Sequence, residues 1–204
     1  LSKQLKTMKP DKALTEQESL DIIKTMLAKT QTGIRDNGFM FLLWGWLVFA
    51  AAVIHYVPMM FMNSTIGGLA WPVLMTIGGI TSAIYSIKQS KKQEVKTYAH
   101  QMLNYTTIAM GVGIAFTLTL GGLFTTWNIT YGFLMLVYGT WLFMAGGILE
   151  FKPLQAGGIV NWILGAVTFF VPEPHELPMI ALAVLLGYII PGHLMKARFD
   201  KESK

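Results

Sequence analysis

Asn161 is the most polar side chain near the middle of any apolar run in this 204-residue chain. An amide in that setting can pair with a neighbouring helix or contact a ligand, and an interhelical bond of this kind contributes about 0.6–2 kcal/mol. Thr117 offers a hydroxyl from a stripe in which Gly113, Thr117 and Gly121 recur at every fourth position. Small residues at that spacing let helix backbones approach closely in lipid. Gly78, Ser82 and Ser86 form a second stripe, Gly157, Asn161 and Gly165 a third, and Ala183 and Gly187 a fourth. Packing is the simplest use of such seams; lining a polar pathway is the functional one. Trp71 stands beside Pro72, which should kink its helix or free a carbonyl, and interrupted helices sometimes mark binding sites. Asn161, Thr117 and Trp71 are therefore the ligand or pathway candidates.

Other chemistries have less support. There is no cysteine, which excludes disulfides, thiolate metal sites and cysteine nucleophiles. His55 and His175 belong to one side of the chain's apolar runs, and His100 and His193 to the other. Only Glu173 and Glu176 lie near His175, so no metal and no cofactor is expected; a pH response of His55 and His175 is the better use of these rings. No Lys, Arg, Asp or Glu falls inside an apolar run, which argues against a proton relay or an ion-coupled pump. No Ser-His-Asp order, no HExxH and no glycine-rich phosphate loop is present. The chain is not expected to be an enzyme. The six tryptophans fall mostly near the ends of apolar runs, as an aromatic belt would place them.

These residues sit in six apolar stretches, read as membrane spans over 39–57, 66–87, 102–125, 131–149, 156–172 and 177–194. Each is close to the roughly 20 residues that a helix needs to cross the hydrocarbon core. Only 13% of residues are charged, about half the usual share in a soluble protein. With a cytoplasmic N-terminus, the inner segments hold all 16 Lys and Arg and the outer loops hold none. Positive charge is retained on the cytoplasmic side, so this split predicts six spans with both termini inside. The net charge of +5 then reflects topology and contact with membrane lipid, not nucleic acid. No cleavable leader is expected, because the first apolar run begins near Phe39; Leu1 in place of Met suggests that a natural start precedes it. Asn63-Ser64-Thr65 and Asn128-Ile129-Thr130 match the glycosylation pattern by chance.

Outside the membrane domain of 38–195, residues 1–14 are Lys-rich and patternless and are expected to be disordered; 196–204 form a cytoplasmic tail. Over 15–37 a capping box, Thr15-Glu16-Gln17-Glu18, precedes Leu20, Ile23, Leu27 and Ile34 at helical spacing. The expected element is a cytoplasmic amphipathic helix, lying on the membrane or the bundle, or docking a protein partner or a second copy. Residues 88–101 should extend the second and third spans into the cytoplasm, Glu150-Phe151-Lys152-Pro153 should make a tight inner hairpin, and 171–178 a proline-stiffened outer loop.

Trp46–Pro58 aligns without gaps on Trp141–Pro153. The first three spans would then repeat as the last three, an all-α fold with a 3+3 inverted repeat of the kind seen in transporters.

The segments Glu18-Ser19-Leu20-Asp21-Ile22-Ile23, Gly33-Ile34-Arg35-Asp36-Asn37 and Phe41-Leu42-Leu43-Trp44-Gly45-Trp46-Leu47-Val48-Phe49 resemble a group of small, uncharacterised bacterial inner-membrane proteins. Lys152-Pro153-Leu154, Gly157-Gly158-Ile159 and Ile189-Ile190-Pro191-Gly192-His193-Leu194 resemble the same group, so the likeness covers nearly the whole chain. It implies a six-span protein of the bacterial cytoplasmic membrane and brings no activity with it. Two functions follow as expectations: a regulatory or scaffolding partner acting through its cytoplasmic face, or a small passive channel or facilitator made of two inverted halves. A packed apolar midplane favours the first; a continuous polar cavity favours the second.

Overall fold

The computed structural model describes Gln17 and residues 38–90, 98–124 and 127–202. The chain divides into two units, Leu1–Arg35 and Asp36–Lys204. The expected amphipathic face of Leu20, Ile23, Leu27 and Ile34 lies outside the described residues. In the second unit every described element is helical: α1 (Phe39–Met62), a 3-10 turn (Ile66–Leu69), α2 (Ala70–Ser90), α3 (Tyr98–Phe124), α4 (Trp127–Ile148), α5 (Lys152–Thr168), α6 (Glu176–Val184), a π-helical turn (Leu185–Ile189) and α7 (Ile190–Glu202).

Five stretches are long and apolar enough to cross a membrane: Phe39–Met62, Ile66–Gln89, Tyr98–Phe124, Ile129–Ile148 and Glu176–Lys201. The sixth expected span is the 17-residue α5, which begins and ends about a turn before the expected 156–172. At 1.5 Å per residue it rises roughly 26 Å, slightly less than the core of a bilayer. The architecture is that of a helical membrane protein.

Local chemistry explains where the helices stop and bend. Gly38 precedes α1 in the left-handed region, at φ 70°, and its Cα packs on the backbone of Gly192 in α7. The sequence reading ended the first span before Pro58, yet α1 runs on to Met62. Pro58 cannot donate to the carbonyl of Ile54 four residues back. Gly67 packs on that same carbonyl and on the Cα of His55, a position that no larger residue fits. Asn63 then ends α1 in the left-handed region, its N–H donating to the Pro58 carbonyl. Pro72 does not interrupt a long helix, as its position in the expected span suggested. It sits in the first turn of α2, just after the 3-10 turn, where a missing N–H costs little. The π turn has a similar origin. Pro191 lacks the N–H that would reach Gly187, and Ile190 donates instead to Leu185, five residues back.

The hairpin between α4 and α5 is as tight as expected: Glu150 adopts φ 50°, and Phe151 N–H donates to Gly146 O at 2.8 Å while Glu150 N–H donates to Gly147 O at 3.3 Å.

The core lies among α1, α4, α5 and the α6–α7 rod. Ala51, Leu142, Ala145, Leu154 and Leu177 are fully buried there, with Ala52 and Ala183 nearly so. Glycine makes this packing possible. A Cβ on Gly139 would stand 2.8 Å from Gly158 O, and one on Gly158 would stand 2.7 Å from Gly139 O. Gly132 and Gly165 meet reciprocally in the same way, at 3.2 and 3.1 Å. Thus α4 and α5 run antiparallel, backbone against backbone, at two levels. On its other face α5 meets the π turn, where a Gly157 Cβ would be 2.7 Å from Gly187 Cα.

Helices α2 and α3 are peripheral. α2 packs on α1 and α3 packs on α4, each through its sequence-predicted stripe: Gly78 meets Leu47 and Trp44, Gly113 meets Val137, and Gly121 meets Thr130. Only 11% of the apolar window of α2 and 6% of that of α3 is buried, against 50% for the α6–α7 rod. The two proposed halves therefore pack differently. α5 and α6 form a close interface, whereas among the described residues α2 and α3 share none of comparable extent. The aligned segments also diverge: 46–58 is helical throughout, and 141–153 turns over at 149–151.

Candidate functional site

Packing contacts place Glu173 and Glu176 at one end of the bundle and the described Lys and Arg, together with Glu150 and Asp200, at the other. Phe39 at the start of α1 stacks on Tyr85 near the end of α2, with ring centroids 4.7 Å apart, and Gly38 sits on Gly192. Lys88, Lys196 and Arg198 belong to that end. At the other end the 3-10 turn, the starts of α2, α4 and α6, and the later part of α1 bring together His55, Trp71, Trp127, Tyr131, Glu173 and Glu176.

This acidic end is built in steps. Gly67 and Gly68 leave room for the His55 ring, whose nearest atom would be 3.5 Å from a Gly68 Cβ. The indole N–H of Trp71 donates to His55 Nδ1 at 3.2 Å. An accepting Nδ1 leaves the proton of the neutral ring on Nε2. Trp71 also faces Tyr131, with centroids 5.8 Å apart, and Trp127, one helical turn before Tyr131, flanks the same ring at 6.0 Å. Tyr131 is buried. Glu173 and Glu176 both lie within electrostatic reach of its hydroxyl, and Glu173 within reach of His55.

Glu176 opens α6 and is 2% exposed. Its Oε2 is buried with no hydrogen-bond partner among the described residues. A buried, unpaired carboxylate oxygen is costly. Position in the first turn of a helix offsets part of that cost, because the N-terminal end of the helix dipole is positive. Its own loop and α6 carry no Lys or Arg; along the chain the nearest are Lys152 and Lys196.

The sequence-predicted candidates are not brought together. Asn161 is buried on α5, where its Nδ2 donates to Gly157 O at 2.9 Å and to Ala183 O at 3.2 Å. It ties α5 to α6 inside the core. Thr117 donates to Gly113 O of its own helix at 2.8 Å, within the seam against α4. Of the three, only Trp71 belongs to the acidic-end cluster. Tyr131 and Trp127 were missed; their spacing of four at the start of an apolar run is the signal that points to them.

The tryptophans do more than line the interface. Trp44 donates to Ser82 Oγ at 3.0 Å, Trp141 to Thr107 Oγ1 at 3.1 Å and Trp162 to Thr140 Oγ1 at 3.2 Å. With Trp71, four indoles bridge neighbouring helices. Towards the basic end Trp141 stacks on Tyr188 at 6.2 Å and meets Phe41 at 5.4 Å. The Tyr188 hydroxyl is the second buried polar atom without a partner among the described residues. Among those residues no group of three or more His, Asp or Glu is arranged to hold a metal ion. Comparison with protein-family models, with curated proteins and with solved structures finds no match to this chain.

Proposed function

We propose that the chain is a non-enzymatic regulatory or scaffolding protein of the bacterial cytoplasmic membrane, with six spans and both termini in the cytoplasm. It engages a protein partner, or a second copy of itself, through the apolar face of Leu20, Ile23, Leu27 and Ile34. The observation that supports this best is the packed midplane. Leu142, Leu154, Ala183 and the glycine pairs fill the space between the core helices, and Asn161 spends its amide on packing. A protein that moves no solute through its interior acts from its surfaces. The apolar stripe over 15–37 requires cover by lipid, bundle or protein.

A small passive channel or facilitator of two inverted halves is the alternative. Its support is the sequence match of Trp46–Pro58 with Trp141–Pro153; the unequal packing of the two halves speaks against it. One experiment separates the readings. Ile23→Asp with Leu27→Asp should abolish partner capture or self-association by cross-linking while the spans stay inserted. Asn161→Leu should leave capture intact. A solute flux in liposomes that is lost in Asn161→Leu and kept in the helix variant would replace the regulator with the facilitator.

A further inference from the structure

The acidic end holds three features that packing alone does not require in one place. The first is a buried carboxylate oxygen with no partner, Glu176 Oε2. The second is a row of aromatic rings, Trp71, Tyr131 and Trp127, with successive centroids 5.8 and 6.0 Å apart. The third is the lack of any Lys or Arg between residues 153 and 195, which leaves Glu173 and Glu176 without a strong counter-ion from their own loop and rod.

We propose that this end of the bundle is a binding site for an organic ammonium cation. The carboxylate of Glu176 supplies the opposite charge in a poorly hydrated setting, where its attraction is strengthened. The exposed face of Trp127, backed by the packed rings of Tyr131 and Trp71, supplies the cation–π contact by which proteins recognise alkylammonium groups. Trp127 is 50% exposed and is the accessible ring of the row, while Tyr131 at 7% lies beneath it. The hydrogen bond from Trp71 to His55 holds the indole plane in place. A divalent metal is disfavoured by the same residues, because aromatic faces offer no inner-sphere donors and hard cations need several oxygen ligands. Bound ammonium would give Glu176 Oε2 a counter-charge. The site goes beyond the regulatory reading above and does not depend on it, since it is remote in sequence from residues 15–37.

The ammonium group can belong to a free solute or to the headgroup of phosphatidylethanolamine. The test uses the full-length chain in nanodiscs of phosphatidylglycerol, titrated with tetramethylammonium chloride. Tryptophan fluorescence is the readout, and sodium chloride is the ionic-strength control. A saturable change is expected with tetramethylammonium only. Glu176→Gln, which keeps the shape of the side chain, should weaken apparent affinity by roughly tenfold or more, as removal of a buried counter-charge does. Trp127→Leu should weaken it severalfold; its side chain is half exposed, so this variant keeps the test sound even if Glu176→Gln fails to fold. Glu150→Gln, at the opposite end, should bind as the parent does. Phosphatidylethanolamine in the disc shifts the titration to higher concentration if its headgroup occupies the site, and leaves it unchanged if the ligand is a free cation. No saturable change, or a Glu176→Gln titration that overlays the parent, overturns the proposal.

Discussion

The α4–α5 pair and the α2–α3 pair are both joined by polar or tightly turning segments, and both are rich in glycine, yet they behave oppositely. In the first, the glycines at the interface are filled: Gly139 by the Gly158 backbone and the Trp162 ring, and Gly132 by the Gly165 backbone and the Phe169 ring. In the second, Gly79, Gly111 and Gly122 face open space, with nothing within 4 Å of where a Cβ would stand. Composition is shared; the use of the glycines is not. In lipid there is no hydrophobic gain from bringing two apolar helices together, so close packing decides which helices associate. α4 and α5 obtain it from backbone contact. α2 and α3 each obtain one narrow seam, against α1 and α4, and leave their remaining faces to lipid or to another protein. Ile77, Ile80 and Ile84 on α2, and Val112 and Phe116 on α3, are all about half exposed or more.

The comparison can be broken by substitutions of graded size. Gly158→Leu should have the largest effect, about 3 kcal/mol or more in a detergent unfolding titration. Its Cβ would meet the Gly139 carbonyl at 2.7 Å and the Phe143 amide at 2.8 Å, and backbone cannot yield as a side chain can. Leu142→Ala should follow, at about 2–5 kcal/mol, because the side chain is fully buried and its removal leaves a cavity. Asn161→Leu should cost about 1 kcal/mol, the net value of an interhelical hydrogen bond in a membrane. A loss of several kcal/mol there would mean that Asn161 organises more than the α5–α6 contact. Gly79→Ala and Gly111→Ala should be the mildest, no worse than neutral and favourable by up to about 1 kcal/mol through helix propensity. Marked destabilisation by either would show that these faces are covered in the folded protein.

Much of this arrangement was legible in the sequence. The apolar runs place the helices, and the tight hairpin at Glu150 follows from its neighbours. The stripes containing Gly78, Gly113 and Gly157 are packing seams, each at the expected spacing of four. The α4 side of the α4–α5 interface was not legible in that way, because Gly132, Gly139 and Gly146 recur every seven residues, and a search for spacing of four passes over them. The end of the first span, placed before Pro58, was misjudged for a related reason, and the π turn before Pro191 was not foreseen. Pro58 and Pro191 lie within helices because Gly67 and the π turn accommodate the carbonyls that they leave, and both devices depend on tertiary or five-residue contacts that no local pattern reveals. The same holds for the acidic end. His55 and Glu176 were visible as residue types, but their meeting with Trp71, Trp127 and Tyr131 requires four helices, α1, α2, α4 and α6, to converge. Asn161 lies in the middle of α5, and its partners, Gly157 O and Ala183 O, belong to packing.

The claim on which the account rests is that the midplane is closed. The chain contains no cysteine, so Asn161→Cys and His175→Cys each give a single reporter. In proteoliposomes, a small charged methanethiosulfonate should modify position 175 promptly and leave position 161 unmodified from either side until the protein is unfolded. Modification of position 161 in the folded protein, from either aqueous phase, would contradict the packed core and establish a water-filled route to the centre of the bundle.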